Sequence, residues 1–152
     1  MKKKIALIVG ISLLLNYACK KEDTKDQAAI DKAVLLKYIA DSSLTVDSTA
    51  SGLYYQIIDS GVGLSPTLTS YITVHYKGYF TDGAIFDQTS GSSIKGFLNR
   101  FILGWQEGVQ KIKKNGKIKL LIPSALAYGE SGYNSIPANT VILFDIELLN
   151  IE

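Results

Sequence analysis

Apolar and polar residues alternate in several short runs after residue 50, which is the pattern of strands buried on one face. The run at 71–79 is the clearest, because its apolar side chains from Ile72 to Tyr76 occupy the even positions. Turn-forming Asp-Gly and Asn-Gly pairs lie between such runs. Further strand candidates are residues 53–58, 85–87, 117–122 and 141–149.

The N-terminal region has a helical period instead. Ile30, Val34 and Tyr38 recur every four residues, so residues 27–40 are predicted to form a helix with Asp26 as its N-cap. Such a helix commonly lies on its own domain, and docking to another protein or dimerisation is the alternative. The Ser-, Thr- and Asp-rich stretch that follows is predicted to be a loop.

The only tryptophan of the chain opens a second, shorter helical pattern. Trp105, Val109 and Ile112 follow one another at helical spacing, directly after Gly104, so a short helix is predicted to begin at the indole. A large aromatic residue in the first turn can present its ring as the floor of a cavity. The alternative is that Trp105 only fills the core.

These patterns predict an α+β domain that spans residues 51–152. Strands outnumber helices there, and no regular alternation of strand and helix indicates a parallel sheet. We expect a curved antiparallel sheet wrapped around the short helix at Trp105, and the N-terminal helix before it.

Composition and charge are those of an ordinary globular protein. The 152 residues are 47% hydrophobic and 20% charged, and the net charge is +2. Lys2, Lys3 and Lys4 supply that excess, and the rest of the chain holds 13 Lys and Arg against 14 Asp and Glu. Nucleic acid is therefore not an expected partner.

The first residues resemble a secretory signal. Three lysines precede an apolar run from Ile5 to Leu15, which is shorter than the roughly 20 residues that span a bilayer. The lone cysteine, Cys19, ends a stretch that resembles a lipobox, although Asn16 stands where leucine is commonest. We expect residues 1–18 to be a lipoprotein signal peptide and Cys19 to be lipidated. A plain signal peptide with an incidental cysteine is the alternative.

Residues 19–50 are predicted to comprise a tether and the N-terminal helix. The tether at 20–26 is charged and has no apolar anchor, so we expect it to be solvated. It also resembles the surface-export signal of lipoproteins in Bacteroidetes-like bacteria. The predicted location is outside the cytoplasm on a bacterial membrane, the outer one in this interpretation, with contact through the lipid alone.

Residues for metal, phosphate or nucleophilic chemistry are scarce. His75 is the only histidine, and its place in mid-strand favours a structural role over a catalytic triad. One histidine and one cysteine do not make a zinc site, and Gly116-Lys117 lacks the other residues of a phosphate loop. No metal and no cofactor are predicted.

Aromatic and aliphatic side chains at strand ends and turns are the remaining candidates. Each alone would be assigned to the core. Tyr128 ends a predicted helical turn before Gly129, which would leave its hydroxyl free, and Asp87 would place a carboxylate at the rim of an apolar hollow. The apolar and aromatic set is Tyr76, Phe86, Phe101, Ile102, Trp105, Tyr128, Ile136 and Phe144.

Most of these residues lie in short sequence motifs. The motifs are Val74–Gly78, Asp82-Gly83, Phe86-Asp87, Phe101–Trp105, Glu107–Val109, Leu126–Gly129, Ile136-Pro137 and Phe144–Leu149. In order and spacing they resemble the FKBP-type peptidyl-prolyl cis-trans isomerases over residues 51–152. The fold of that family, a curved antiparallel sheet around a short helix, agrees with the predicted strands.

The resemblance implies a site that binds a substrate proline. Trp105 would lie under the proline ring, the backbone N–H of Ile102 and the hydroxyl of Tyr128 would bind substrate carbonyls, and Asp87 would lie at the rim. The walls would be Tyr76, Phe86, Phe101, Ile102 and Phe144, with Ile136 on a flap loop. The implied partners are proline-containing polypeptides and the macrolide inhibitors directed at the family.

The chain departs from the family pattern at three places. Phe101 replaces a smaller valine, which would narrow the pocket. Gly96 stands where a phenylalanine is usual, with Phe97 beside it, and the loop from Tyr128 to Ile136 is about one residue short. The competing function is a module that binds proline segments as a chaperone with little turnover. A purely structural domain would leave the motifs unexplained.

Overall fold

The computed structural model describes residues 24–152 as two α-helices and one antiparallel sheet. The predicted signal peptide and the lipidation of Cys19 lie outside the described residues. The helices are α1 (Thr24–Asp41) and α2 (Leu103–Gly108). The strands are β1 (Asp47–Ser48), β2 (Tyr54–Asp59), β3 (Tyr71–Tyr79), β4 (Ile85–Gln88), β5 (Ile94–Phe97), β6 (Lys117–Ile122) and β7 (Ile142–Ile151).

The sheet has the order β1-β2-β6-β7-β3-β4, and β5 also pairs with β3. Every one of these pairs is antiparallel, which confirms the α+β prediction. Three strand pairs contain register shifts, and irregularities of this kind bend and twist a sheet. The two strands that the alternation missed are β1, which has only two residues, and β5, which contains Gly96.

Helix α2 packs closely on β6 because two glycines face the strand. A Cβ at Gly104 would lie 2.6 Å from Cγ2 of Ile122, and one at Gly108 would overlap the side chain of Leu120. The helix begins at Leu103, two residues before the predicted start, and continues as a 3-10 turn, Val109–Lys111. Its close approach brings Trp105 against the sheet, where the side chain is 2% exposed.

Helix α1 lies on the domain, but with a face that the apolar period did not predict. Ile30 and Val34 are exposed, whereas Asp31 and Leu35 are buried. Leu35 belongs to a second apolar cluster, with core members Tyr79, Leu121, Val141 and Leu143. The spacing of apolar residues predicted the wrong inward face because the buried face of α1 carries the carboxylate of Asp31, and only apolar residues were used to predict that face.

The start of α1 also differs from the prediction. The helix begins at Thr24, so Asp26 lies within its first turn and is not the N-cap. Between residues 24 and 152, no helix has the length and apolar character needed to cross a membrane.

Candidate functional site

A cavity of about 510 Å³ opens between the sheet, α2 and the loop that joins β6 to β7. The structure brings all the predicted site side chains of residues 51–152 together around it. The lining also includes residues that the sequence did not single out. The predicted ones are Tyr76, Phe86, Asp87, Phe101, Ile102, Trp105, Tyr128, Ile136 and Phe144, and the additional ones are Ile94, Arg100, Tyr133, Asn134 and Ser135.

Trp105 forms the centre of the aromatic cluster. The rings of Tyr76 and Phe144 contact it edge-on, with centroids at 5.2 and 5.1 Å. Edge-to-face pairs of this kind stabilise a packed arrangement beyond the area they bury. Within the described residues the indole Nε1 is buried without a hydrogen-bond partner, so the ring is held by packing and lines the cavity as an apolar surface.

The sheet supplies the walls from three strands. Gly78 on β3 pairs with Asp87 on β4 on one side and with Phe144 on β7 on the other. Phe86 therefore lies beside Phe144, with ring centroids 5.5 Å apart and planes at 86°. Two of the predicted wall residues, Phe86 and Phe144, thus come from the strands on either side of β3 and meet above its Gly78.

Phe101 completes the wall on the side of α2. Its ring stacks on Trp105 at 5.0 Å between centroids and 21° between planes. Phe97 does not line the cavity; it is half exposed and packs edge-on against Tyr71. The aromatic ring on this side of the pocket is therefore that of Phe101.

A hydrogen bond joins two side chains at the rim of the cavity. The hydroxyl of Tyr76 donates to Oδ2 of Asp87 at 2.5 Å. Burial raises the pKa of Tyr76 above its usual range, and the bond to Asp87 raises it further. The Asp87 carboxylate is exposed, so it faces both solvent and the pocket.

Two residues that line the cavity carry a polar donor with no partner among the described residues. One is the backbone N–H of Ile102, the residue that caps α2 and whose carbonyl accepts from Trp105 and Gln106. The other is the hydroxyl of Tyr128. Burial raises the pKa of Tyr128, and nearby Tyr133 and Asp87 add to the shift, so the hydroxyl stays a donor at neutral pH.

The loop between β6 and β7 carries Tyr128 and Ile136. The helical turn covers only Ser124–Leu126, so Tyr128 lies after the turn rather than at its end. Tyr133 stacks on Tyr128 at 5.1 Å and exchanges two backbone hydrogen bonds with Ile136, at 2.9 and 2.8 Å. Sequence reasoning missed Tyr133, for which a short, turn-rich loop offers no periodic signal.

His75 lies away from the cavity. Its Nδ1 is 3.1 Å from Oγ1 of Thr89, on the neighbouring strand segment. In residues 24–152 no cluster of three or more His, Cys, Asp or Glu side chains could hold a metal ion. The lining of the cavity offers aromatic surfaces, hydrogen-bond donors and the charged side chains of Asp87 and Arg100.

Residues 63–149 match the family of FKBP-type peptidyl-prolyl cis-trans isomerases, which is more than half of the chain. The chain belongs to the FKBP family. FkpA of Aeromonas hydrophila, an FKBP-type peptidyl-prolyl cis-trans isomerase, is 50% identical over 109 residues, covering 70% of this chain and 41% of its own length. FkpA of Escherichia coli strain K12 is 40% identical over 134 residues, covering 87% and 49%.

Solved structures of FKBP-family proteins share the fold. The crystal structure of FkpA from Escherichia coli has a TM-score of 0.74 at 39% identity, and the match covers 84% of this chain and 62% of that one. A peptidyl-prolyl cis-trans isomerase from Pseudomonas syringae has a TM-score of 0.73 at 29% identity, covering 86% and 96%. The chain spans less than half the length of the two FkpA relatives.

Proposed function

We propose that this FKBP-family chain is a peptidyl-prolyl cis-trans isomerase that accelerates rotation about X–Pro bonds. The observation that carries the proposal is the combination of an apolar floor at Trp105 with two donors, the Ile102 N–H and the Tyr128 hydroxyl, around one cavity. In this proposal a proline ring packs against the floor, and the two donors bind the flanking carbonyls of an extended peptide.

Such a pocket needs no metal, acid or nucleophile to act. Amide resonance sets the barrier to rotation, which takes tens to hundreds of seconds without a catalyst. The twisted amide of the transition state is less polar along C–N than the planar one. An apolar pocket therefore favours the twisted amide relative to the planar one, while hydrogen bonds hold the flanking chain.

The experiment is the cis-to-trans rate of a short X–Pro peptide with the whole chain. Acceleration that falls markedly in a Tyr128→Phe, Asp87→Ala double variant supports an isomerase that works through this pocket. Peptide binding without acceleration would replace the proposal with a proline-binding chaperone module. Neither acceleration nor binding from a folded chain would overturn both.

We also propose that the chain works outside the cytoplasm, anchored by a lipid at Cys19 to a bacterial outer membrane. The lysines at 2–4, the short apolar run and the lone cysteine support this. Labelling with a radioactive fatty acid in a bacterial host should mark the wild type and not Cys19→Ser. Labelling of neither chain would leave a secreted protein without an anchor. Protease treatment of intact cells would show whether the domain reaches the surface.

Macrolide inhibitors directed at the family are proposed to occupy the same cavity. Their apolar ring systems would lie against Trp105, the only tryptophan, so its fluorescence reports binding directly. A saturable change in emission that competes with a proline peptide supports the proposal. Emission that does not change when the macrolide is added, in a chain that still binds the proline peptide, would contradict the proposal.

A further inference from the structure

Asp31 is a buried carboxylate that links helix α1 to the main domain. Its side chain is 2% exposed, and its Oδ2 accepts from the backbone N–H of Ser124 at 2.7 Å and from the Ser124 hydroxyl at 2.6 Å. Its Oδ1 accepts from the amide of Gln27 at 2.7 Å. Burying a carboxylate is costly unless its oxygens are hydrogen-bonded, and here both are.

The residue that Asp31 holds begins the turn leading to the pocket. Ser124 is the first residue of the 3-10 turn, and its carbonyl accepts from Ala127 at 3.0 Å. Tyr128 follows directly. Ser124 is itself 2% exposed, so its position is fixed by packing as well as by the carboxylate. The contact therefore sets where the chain enters the segment that carries Tyr128.

Helix α1 also reaches the far end of the same loop. The amide of Gln27 lies 3.4 Å from the carbonyl oxygen of Asn139, and the Asn139 N–H donates to the carbonyl of Gly129 at 2.8 Å. Two side chains one helical turn apart on α1 thus contact both ends of residues 124–139. This segment, here called the pocket loop, carries Tyr128, Tyr133 and Ile136.

We propose that Asp31 is a positioning residue for the site: its carboxylate holds the pocket loop so that the Tyr128 hydroxyl faces the cavity. The inference rests on the proposed function, because Tyr128 is one of the groups that would touch the substrate. It assigns to the N-terminal helix a part in the site although no residue of α1 lines the cavity.

Hydrogen exchange of the whole chain, followed by mass spectrometry, tests the positioning without any need for activity. Asp31→Ala should speed amide exchange in residues 124–139 by about tenfold or more, while exchange in β7 stays as in the wild type. The exchange rate of the same residues in Asp31→Asn should lie between those of the wild type and Asp31→Ala, because the amide oxygen of asparagine still accepts from Ser124. Leu36→Ala, on the exposed side of α1, is the matched control and should change nothing. Unchanged exchange in the pocket loop, or an equal rise across the sheet, would overturn the inference.

A double-mutant cycle with Tyr128→Phe tests the link to the site. Asp31→Ala should lower the catalytic efficiency of folded protein about fivefold in the wild type and less than about twofold in the Tyr128→Phe background, because the shared effect is already lost. A role in stability alone gives equal factors in both backgrounds and would sink the inference. Ile118→Val, a buried change in β6, provides the stability-only comparison. An inactive wild-type chain would instead refute the proposed function, and the exchange experiment would then decide the role of Asp31.

Discussion

The ring of Phe101 lies over the backbone of Gly96. A Cβ on residue 96 would be 3.2 Å from Cζ of Phe101, closer than ordinary contact distance. Glycine at position 96 leaves the space that the ring of Phe101 fills, so the two expected departures from the family pattern lie in contact. That Phe101 narrows the pocket stays a prediction.

The first prediction concerns this pair. Gly96→Phe alone places two rings in one space and should lower the free energy of unfolding by about 1–3 kcal/mol. In the double variant Gly96→Phe, Phe101→Val the loss of unfolding free energy should be smaller than the sum of the two single losses, by about 0.5 kcal/mol or more. Urea unfolding of the four chains measures this. Strict additivity would show that the two residues do not share the space.

The second prediction concerns the hydroxyl of Tyr128. Tyr128→Phe should lower catalytic efficiency about twofold to tenfold, which corresponds to one neutral hydrogen bond. Stability should stay nearly constant, because the hydroxyl has no partner within the described residues. Tyr71→Phe is the matched control, since it removes a hydroxyl from a side chain that packs against Phe97 and does not line the cavity. Equal losses in both variants would contradict a specific role for Tyr128.

The third prediction concerns the rim. Removing either partner of the bond between Tyr76 and Asp87 should lower catalytic efficiency severalfold, and removing both should cost no more than the larger single loss. The variants are Tyr76→Phe and Asp87→Ala, with Asp87→Asn as the conservative control because its amide oxygen still accepts. Stability should change by less than about 1 kcal/mol, since the carboxylate is exposed. Losses that multiply would show that the two groups act independently.

The fourth prediction concerns pH. Burial raises the pKa of Tyr76 and of Tyr128 in the folded chain, whereas tyrosines in the unfolded chain ionise near their usual value of about 10. The folded state therefore binds more protons above about pH 10, so stability is full below that pH and falls as pH rises further.

Isomerase activity should accordingly persist through about pH 10 for as long as the chain stays folded. Tyrosinate absorbance and peptide rates recorded together over the alkaline range measure this. Loss of half of the activity at about pH 10, in a chain that is still folded, would contradict the raised pKa of Tyr76 and of Tyr128.

The fifth prediction separates the two faces of α1. Leu35→Ala should lower the free energy of unfolding by about 2–5 kcal/mol, because the side chain is fully buried in the second apolar cluster. Leu36→Ala should change it by less than about 0.5 kcal/mol, because that side chain is 45% exposed. Urea unfolding decides, and similar values for the two neighbours would mean that α1 does not dock in solution.

The sheet and the short helix could be predicted from the sequence because burial on one face leaves a periodic trace. Strand β3 has the predicted bounds, and Trp105, Val109 and Ile112 are all buried at the predicted spacing. The candidate site came from motifs in order rather than from any single residue. The structure brings these residues together around one cavity, and their contacts with substrate stay predictions.

The remaining features depend on contacts between distant residues, which leave no period. The inward face of α1 holds Asp31, whose partner Ser124 is 93 positions away, so only the folded chain shows why a carboxylate can be buried there. Tyr133 joins the pocket through a loop without alternation. The sequence shows Gly96 and Phe101 as two separate departures from the family pattern, but it does not show that the two residues are in contact.

The position of β7 in the sheet has a consequence for how the chain acquires its structure. This strand lies between β6 and β3, yet it follows both in the sequence. During synthesis the two parts of the sheet cannot join until residues 142–151 have left the ribosome. The pairs between β3 and β7, such as Val74 with Leu148, are far apart in sequence, which slows folding. We expect a ribosome-stalled chain that ends before β7 to remain protease-sensitive, and one that includes it to become resistant.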